Sequence, residues 1–366
     1  MKQPTIFVSI ASYRDDQCET TLHNLYERAK HPSRVFVGIC QQNKDKKEEC
    51  HQKPTGYESN IRILRMSHKK AKGPTFARYL CATLFQDEDF FFQIDSHCLF
   101  VQDWDEHAIR MIEDLETKGN TKKPLLSHYP PMYSDYKPNP DASDMVTHIV
   151  QCFFNPQGMI SFRGAVYKSP QALPRRNAFV AGGFIFARGH FVREVPFDPE
   201  LPYLFTGEEL LLSARVFTHG WDVFTPNRNL LYHAYLREDK PKFWNDHHAD
   251  ATDAETKVKM ITGLMEKDWK KIRSRRVANS LSKYGLGKER TLEEFYEFIG
   301  VNVQSKTVSK PKIEFFCSSC PGESSSRIRF TLLMTGIVLM IILLLYMLFR
   351  LTMIWMERKN RSRRRS

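Results

Sequence analysis

The feature that most constrains the fold is an alternation of apolar, strand-like runs with amphipathic helices in the first third of the chain. β-Branched, aliphatic and aromatic residues concentrate at 5–11, 34–40, 61–66 and 90–94. Apolar residues at helical spacing follow most of these runs, at 16–30, 74–84 and 104–115. Strands that alternate with helices in this way are typical of an α/β protein with a mostly parallel, doubly wound sheet.

The pattern changes further along the chain, where strands follow one another more closely. Extended runs are predicted at 146–154, 159–167, 179–187, 222–225 and 230–234. A helix is predicted at 208–218, and charged, amphipathic helices are predicted at 254–282. Closely spaced strands favour antiparallel pairing, so the central sheet is expected to be mixed.

The second constraint lies near the C-terminus, where residues 330–349 contain no charged side chain. This run is long enough to cross a hydrocarbon core of about 30 Å as a helix, and buried helices rarely stay apolar on every face for so long. The sequence therefore predicts five consecutive segments. They are a globular domain at 1–240, a helical extension of it at 241–310, a linker at 311–327, a transmembrane helix at 328–349 and a basic tail at 350–366.

The sequence predicts a single-pass membrane protein but leaves its orientation open. The first residues lead directly into a strand, without the cationic and apolar regions of a signal peptide, which favours a tail anchor with the body in the cytosol. The basic tail favours the opposite orientation, because short flanks rich in Lys and Arg prefer the cytosolic side of a membrane. The body would then lie on the lumenal side of the ER or Golgi membrane. The eight cysteines show no paired CxxC metal spacing, and the redox compartment stays undecided.

The net charge of +12 does not indicate a nucleic-acid partner. Residues 350–366 carry seven Lys or Arg and one Glu, so half of the excess lies in the tail. The remaining body is mildly basic and contains no recognisable nucleic-acid motif, and we therefore expect no nucleic-acid binding. A few cations in the body would suit a diphosphate ligand.

Polar residues follow two of the predicted parallel strands, at 12–15 and at 95–97. A doubly wound sheet binds its ligand beyond the carboxyl ends of its strands, where the strand order reverses. We expect these loops to lie together with a nucleotide between them. The sequence contains neither GxGxxG nor GxxxxGK[ST], which argues against a dinucleotide-dependent oxidoreductase and a P-loop kinase.

Asp95 and His97 are the candidate metal ligands of this edge. Two residues apart on an extended segment, they can face one ion and leave coordination positions open for diphosphate oxygens. His233, in another strand-like run, is the candidate third ligand. A capping aspartate and hydrogen-bonded histidines are the alternative interpretation of the same residues.

Two further motifs are candidate binding elements. Glu208 and Glu209 follow Gly207 at a helix start, where carboxylates can accept sugar or acceptor hydroxyls or can simply complement the helix dipole. Gly182 and Gly183 interrupt an apolar strand, where they allow close approach of the backbone to a sugar or mark a bulge.

These residues together resemble a known family, the UDP-GlcNAc-dependent polypeptide GlcNAc-transferases, which modify a hydroxyproline on a ubiquitin-ligase adaptor or threonines on protozoan mucins. The resemblance extends over residues 5–236. The matching stretches are IFVSIASYRD at 6–15, RVFVGI at 34–39, Gly73-Pro74 with Ala77-Arg78, QIDSH at 93–97 and FTGEE at 205–209.

The resemblance implies that residues 1–240 form a GT-A-like, nucleotide-sugar-binding catalytic domain that moves GlcNAc with retention from UDP-GlcNAc to a hydroxyl of a protein or glycoprotein. It implies a divalent metal, Mn²⁺ or Mg²⁺, at the aspartate-x-histidine motif of Asp95 and His97, to which His233 is the candidate third ligand, and catalytic roles for Glu208 and Glu209. The implied donor-binding residues are Ala11, Ser12, Tyr13, Arg14, Arg78, Asp95, Gly182 and Gly183. A different nucleotide sugar, a glycan acceptor, or an inactive membrane-tethered sugar-nucleotide-binding protein are the alternatives.

Overall fold

The computed structural model describes residues 3–140, 145–168, 172–248 and 250–309. Within them, strands β1 to β14 are Ile6–Tyr13, Val35–Asn43, Ile61–Ser67, Phe90–Asp95, Cys98–Phe100, Pro124–Leu126, Met145–Phe154, Ile160–Lys168, Arg175–Asn177, Phe184–Arg188, Asp222–Thr225, Leu231–His233, Val301–Asn302 and Thr307–Val308. Helices α1 to α10 are Cys18–Arg28, Pro74–Ala82, Trp104–Thr117, Phe191–Glu194, Glu208–Thr218, Phe243–Asp246, Thr252–Ile261, Arg275–Asn279, Leu281–Tyr284 and Leu292–Ile299.

Eight of these strands form the central sheet, in the order β3-β2-β1-β4-β10-β6-β11-β9. The first four are mutually parallel, and β10 then pairs with β4 and β6 in antiparallel fashion. β11 runs parallel to β6, and β9 is antiparallel to β11. The sheet is therefore mixed, as predicted.

The order of the parallel strands reverses beside β1, which lies between β2 and β4. Ala11 of β1 is the register partner of Asp95, the last residue of β4. Both strands end at the same edge, so the loops that follow them meet there. This is the position at which a doubly wound sheet binds its ligands.

The sheet is buried on both faces, which explains why β4 is a continuous apolar run and not an alternating one. Phe91 packs on one side of it with Phe7 and Phe191. Phe90 and Phe92 lie on the other face, and Phe92 contacts the rings of Trp104 and Phe184.

A short ribbon beside this sheet brings together segments that are far apart in the chain. β5 pairs antiparallel with β12, so that Cys98 lies opposite His233. One residue beyond, the backbone N–H of Ala234 donates to the carbonyl oxygen of His97 at 3.1 Å. The β7 and β8 strands form a separate antiparallel hairpin.

Two of the predicted elements differ from the structure. The run at 179–187 is a strand only over Phe184–Arg188, because residues 178–181 are buried in irregular backbone that hydrogen-bonds to Asn177 and Ser213 side chains and to Ser127 Oγ. The predicted helices at 254–282 are interrupted at 262–274, where Gly263 has a left-handed backbone with φ 68°.

Within the described ranges, none of the helices combines the length and apolar character needed to cross a bilayer. The linker at 311–327, the transmembrane helix predicted at 328–349 and the basic tail at 350–366 lie outside the described residues.

Candidate metal and donor site

Asp95, His97 and His233 converge at the edge of the sheet where the strand order reverses. Asp95 ends β4, His97 lies in the turn to β5, and His233 ends β12. One ligand atom from each of the three lies within 4.8 Å of the others. The β5–β12 ribbon produces this convergence, because it fixes the turn that carries His97 against the strand that carries His233.

Asp15 holds the ring of His97 in place. Its carboxylate oxygen Oδ2 lies 2.8 Å from His97 Nδ1 and accepts a hydrogen bond of 2.5 Å from Ser96 Oγ, and Arg237 pairs with Oδ1 at 2.7 Å. Burial raises the pKa of Asp15, but the hydrogen bond and charge of His97 and the charge of Arg237 outweigh it and lower the pKa. With Nδ1 engaged, Nε2 of His97 is the nitrogen available to an ion.

Asp95 stays ionised although it is mostly buried. Burial raises its pKa, yet the hydrogen bond with His233 at 3.1 Å and the Arg78 guanidinium at 3.0 Å hold that pKa well below its usual range. Arg78 bridges Asp95 to Glu208 through its other terminal nitrogen. The positively charged guanidinium of Arg78 therefore lies next to the carboxylate of Asp95. A site that binds a metal ion together with a diphosphate needs both kinds of charge.

A cavity of about 440 Å³ opens directly beside these groups. Most of the residues proposed from the sequence line it, namely Arg78, Asp95, Gly182, Gly183, Glu208, Glu209 and His233. Phe162, Phe205 and Tyr235 contribute apolar walls. The cavity is thus polar around Asp95 and apolar further out.

Glu208 and Glu209 have different partners at the start of α5. Glu208 pairs with Arg78, whereas Glu209 accepts hydrogen bonds from the Gly182 N–H at 2.9 Å and from the Tyr129 hydroxyl at 2.5 Å. Burial raises the pKa of Glu209, and the two hydrogen bonds oppose this rise without cancelling it. Gly207 makes the turn into the helix with φ 91°, a conformation that favours glycine.

The two glycines lie directly against the ionic groups of the site. A Cβ atom on Gly183 would lie 2.4 Å from Asp95 Oδ2, and one on Gly182 would lie 2.6 Å from Arg78 Nη1. Both distances are shorter than any real contact, so a side chain at either position would displace the ionic groups. The backbone at these glycines therefore comes close to Asp95 and Arg78, and its approach to a sugar stays a prediction.

The segment from Ala11 to Arg14 lies at the same edge but does not line the cavity, as far as the described residues show. Ser12 is fully buried. The Tyr13 hydroxyl donates to Asp246 at 2.6 Å, and Arg14 pairs with Asp246 at 2.7 Å and with Glu48 at 2.9 Å. Their donor-binding roles stay predictions.

The three ligands fit a divalent cation. Two imidazoles and one carboxylate are a mixed donor set that divalent transition metals accept, and three protein ligands leave positions for water or phosphate oxygens. The fit is supported by the Asp15 carboxylate, which contacts Nδ1 of His97, and by the open cavity beside Asp95.

The chain is similar to solved structures that were crystallised with UDP or a UDP-sugar. The chain is similar to GalNAc-T7, crystallised with UDP, GalNAc and Mn²⁺, with a TM-score of 0.56 and 12% identity over 84% of this chain and 59% of that one. It also matches S. aureus TarS 1-349 in complex with UDP-GlcNAc, with a TM-score of 0.46 and 11% identity over 76% of this chain and 73% of that one. The chain thus spans less than two thirds of the GalNAc-T7 chain. At this identity, the likeness to GalNAc-T7 shows the fold alone.

The fold is accordingly that of a GT-A-like glycosyltransferase with a mixed central sheet. The family model described as Glycosyltransferase (GlcNAc) matches residues 5–60 and 52–305, and the chain belongs to this family. No curated protein matches the sequence at a significant level.

Proposed function

We propose that this protein transfers GlcNAc from UDP-GlcNAc to a hydroxyl group of a protein, a serine, a threonine or a hydroxyproline, with a divalent metal bound to Asp95, His97 and His233. The observation that carries the proposal is the convergence of these ligands with Arg78 beside an open cavity at the sheet edge. The family match and the Mn²⁺ and UDP of the GalNAc-T7 structure support it.

The bound cation would supply positive charge for the diphosphate oxygens of the donor. Arg78 would neutralise negative charge that develops on the same diphosphate as the glycosidic C–O bond breaks, and it is already oriented by Asp95 and Glu208. The new bond forms between the acceptor oxygen and the anomeric carbon, and the hydroxyl proton leaves with the UDP. Retention of configuration is part of the proposal.

Glu208 and Glu209 are proposed to bind the sugar or the acceptor. Glu209 lies in the cavity wall with its orientation fixed by Tyr129 and Gly182. A carboxyl with a raised pKa and a fixed orientation is suited to hydrogen-bond a sugar hydroxyl in either protonation state. Ala11 to Arg14 would contact the nucleotide once Asp246 is displaced.

The decisive experiment incubates the full-length chain with UDP-GlcNAc and Mn²⁺ and measures release of UDP. Asp95→Ala should abolish release and remove the stimulation by Mn²⁺, with an unchanged circular dichroism spectrum. The matched control is Asp16→Ala in the neighbouring loop, whose side chain is 52% exposed and pairs with Lys240. Full activity of Asp95→Ala, with metal dependence retained, would refute the site.

The same assay with a panel of nucleotide sugars and of peptide and glycan acceptors tests the two alternatives. If another nucleotide sugar is turned over instead, that sugar replaces UDP-GlcNAc in the proposal. If only glycans accept the sugar, a glycan replaces the protein acceptor. Absence of turnover with every donor, together with measurable UDP binding, would indicate an inactive sugar-nucleotide-binding protein.

The location of the protein is also a proposal. We favour the ER or Golgi lumen for the catalytic body, with the predicted helix at 328–349 as its anchor. The support comes from the disulfide between Cys18 and Cys50, since such bonds persist in oxidising compartments. Glycosylation at the Asn360 sequon would instead place the tail in the lumen and contradict this orientation.

A further inference from the structure

A second cavity of about 670 Å³ adjoins the donor cavity. The two cavities share three wall residues, Tyr129, Pro130 and Tyr235. The ring of Tyr235 lies 4.2 Å from that of His233, and its hydroxyl donates to the carbonyl oxygen of Pro130 at 2.9 Å. One side of this wall therefore faces the candidate metal ligands, and the other faces the second cavity, which we call the apolar groove.

The apolar groove is open and lined mainly by hydrophobic and aromatic side chains. Met132 and Val166 are 37% and 56% exposed, and Tyr235 is 46% exposed. Its far wall is formed by the β7–β8 hairpin, which contributes Val166 and Thr147. Contiguous exposed apolar surface next to a catalytic cavity is a feature of binding sites.

We infer that the apolar groove binds the acceptor polypeptide and selects an apolar side chain next to the hydroxyl-bearing residue. The inference rests on the proposed function, and it adds the chemistry of the acceptor. The acceptor oxygen has to approach the anomeric carbon from a side that the donor leaves open, and the groove reaches the donor cavity at Tyr235. An extended chain in the groove therefore delivers its hydroxyl beside His233.

The lining favours a peptide over a glycan. Burying apolar side chains of a peptide gains about 25 cal/mol for each Å² of surface removed from water. A glycan would bury many hydroxyls, and each one left without a partner costs about 1–3 kcal/mol. Within the described part of the chain, the groove has four polar side chains besides its tyrosines. They are Asp135, Lys137, Thr147 and Asn229.

The test uses the full-length protein with short synthetic peptides that carry one central threonine. In one peptide the flanking residues are leucine and proline, and in the matched peptide they are asparagine and glycine. Peptide binding is measured by fluorescence polarisation without donor, and transfer is measured with UDP-GlcNAc and Mn²⁺. Hydrolysis of UDP-GlcNAc by water, measured without peptide, reports the donor site separately.

The test variant is Val166→Glu, which places a charge in the groove. Its matched control is Phe153→Glu on the same hairpin, since Phe153 is 51% exposed and does not line the groove. We expect Val166→Glu to weaken binding of the leucine–proline peptide roughly tenfold or more, with UDP-GlcNAc hydrolysis unchanged, because a buried carboxylate loses its hydration. Phe153→Glu should leave both peptide binding and UDP-GlcNAc hydrolysis unchanged.

The wild-type protein should also prefer the leucine–proline peptide over the asparagine–glycine peptide. Equal binding of the two peptides, or unchanged binding by Val166→Glu, would overturn the inference, as would transfer only to glycans. Absence of UDP-GlcNAc hydrolysis and transfer in the wild type would refute the proposed function, whereas the binding measurement would still decide whether the groove holds a peptide.

Discussion

His97 is oriented toward the candidate metal site by a residue that is not itself a ligand. Asp15 is 1% exposed and engages His97, Ser96 and Arg237 at once, so it fixes which imidazole nitrogen of His97 is available to an ion beside Asp95 and His233. Outer carboxylates of this kind also raise the basicity of the imidazole they contact. The affinity of the site for metal should therefore depend on Asp15 almost as strongly as on a ligand.

We predict that Asp15→Asn weakens Mn²⁺ binding by roughly 10- to 100-fold, while excess Mn²⁺ restores much of the UDP release. Isothermal titration with Mn²⁺ and the metal dependence of UDP release would both measure the effect. Asp16→Asn, one residue along, is the matched control because its carboxylate lies on the surface. Metal affinity equal to that of the wild type would show that Asp15 only supports the fold.

The sequence predicted where the candidate ligands lie better than it predicted the residues around them. Asp95 and His97 follow an apolar strand directly, and that local pattern is sufficient to place them at a sheet edge. The ion pair of Arg78 with Glu208 joins residues 130 positions apart, and the Asp15–His97 contact joins residues 82 apart. No local pattern encodes such contacts, because they depend on how the strands are ordered in the sheet.

At the scale of elements, the long buried strands were predicted, whereas three of the shortest strands were missed. β1 to β4 are predicted to within a few residues. β1, β2 and β4 are buried almost throughout and begin with continuous apolar runs, whereas β3, at the edge of the sheet, is only partly buried and contains Arg62 and Arg65. β5, β6 and β9 are three residues each, too short to show a period. Yet β5 is the strand that pairs with β12 and brings His97 to His233.

The disulfide is a second connection that spacing alone did not reveal. It joins Cys18, at the start of α1, to Cys50 in the loop after β2, across 32 residues. The same loop carries Glu48, which pairs with Arg14 at the end of β1. The bond therefore ties the first helix to a loop that contacts the carboxyl end of the first strand.

We predict that the double variant Cys18→Ser/Cys50→Ser lowers the free energy of unfolding by about 3–4 kcal/mol, because the bond restricts the unfolded chain over this loop. Urea unfolding of both proteins, with and without reductant, would measure it. Reductant should destabilise the wild type more than the double variant, since the other cysteines whose side chains the structure describes, Cys40, Cys81 and Cys98, are free thiols. Equal sensitivity to reductant would contradict the prediction.

At the scale of the whole molecule, burial of the mixed sheet on both faces also buries histidines that play no part in the candidate site. His128 is fully buried, its ring packs edge-on against Phe184 at 4.5 Å, and neither ring nitrogen has a partner among the residues the structure describes. Burial lowers the pKa of His128 to about 3, and that of His148 to about 4. The folded protein thus keeps both rings neutral where the unfolded chain protonates them.

The sign of the pH dependence follows from this difference. Below the usual histidine pKa of 6.5, the unfolded chain binds protons that the folded chain does not, so acid favours unfolding. The stability contributed by a neutral His128 is complete above pH 6.5 and is lost progressively as the pH falls toward about 3. Each such histidine changes the free energy of unfolding by up to about 1.4 kcal/mol for each pH unit in this window.

We predict that His128→Gln and His128→Phe both reduce the slope of unfolding free energy against pH between about 6.5 and 4, although their stabilities at neutral pH should differ. His128→Phe keeps a ring against Phe184, whereas His128→Gln places an amide in an apolar site. Urea unfolding at a series of pH values measures the slope for each protein. A common reduced slope in both variants would assign the effect to the lost titration and not to altered packing. A wild-type slope in either variant would mean that His128 is protonated in the folded protein.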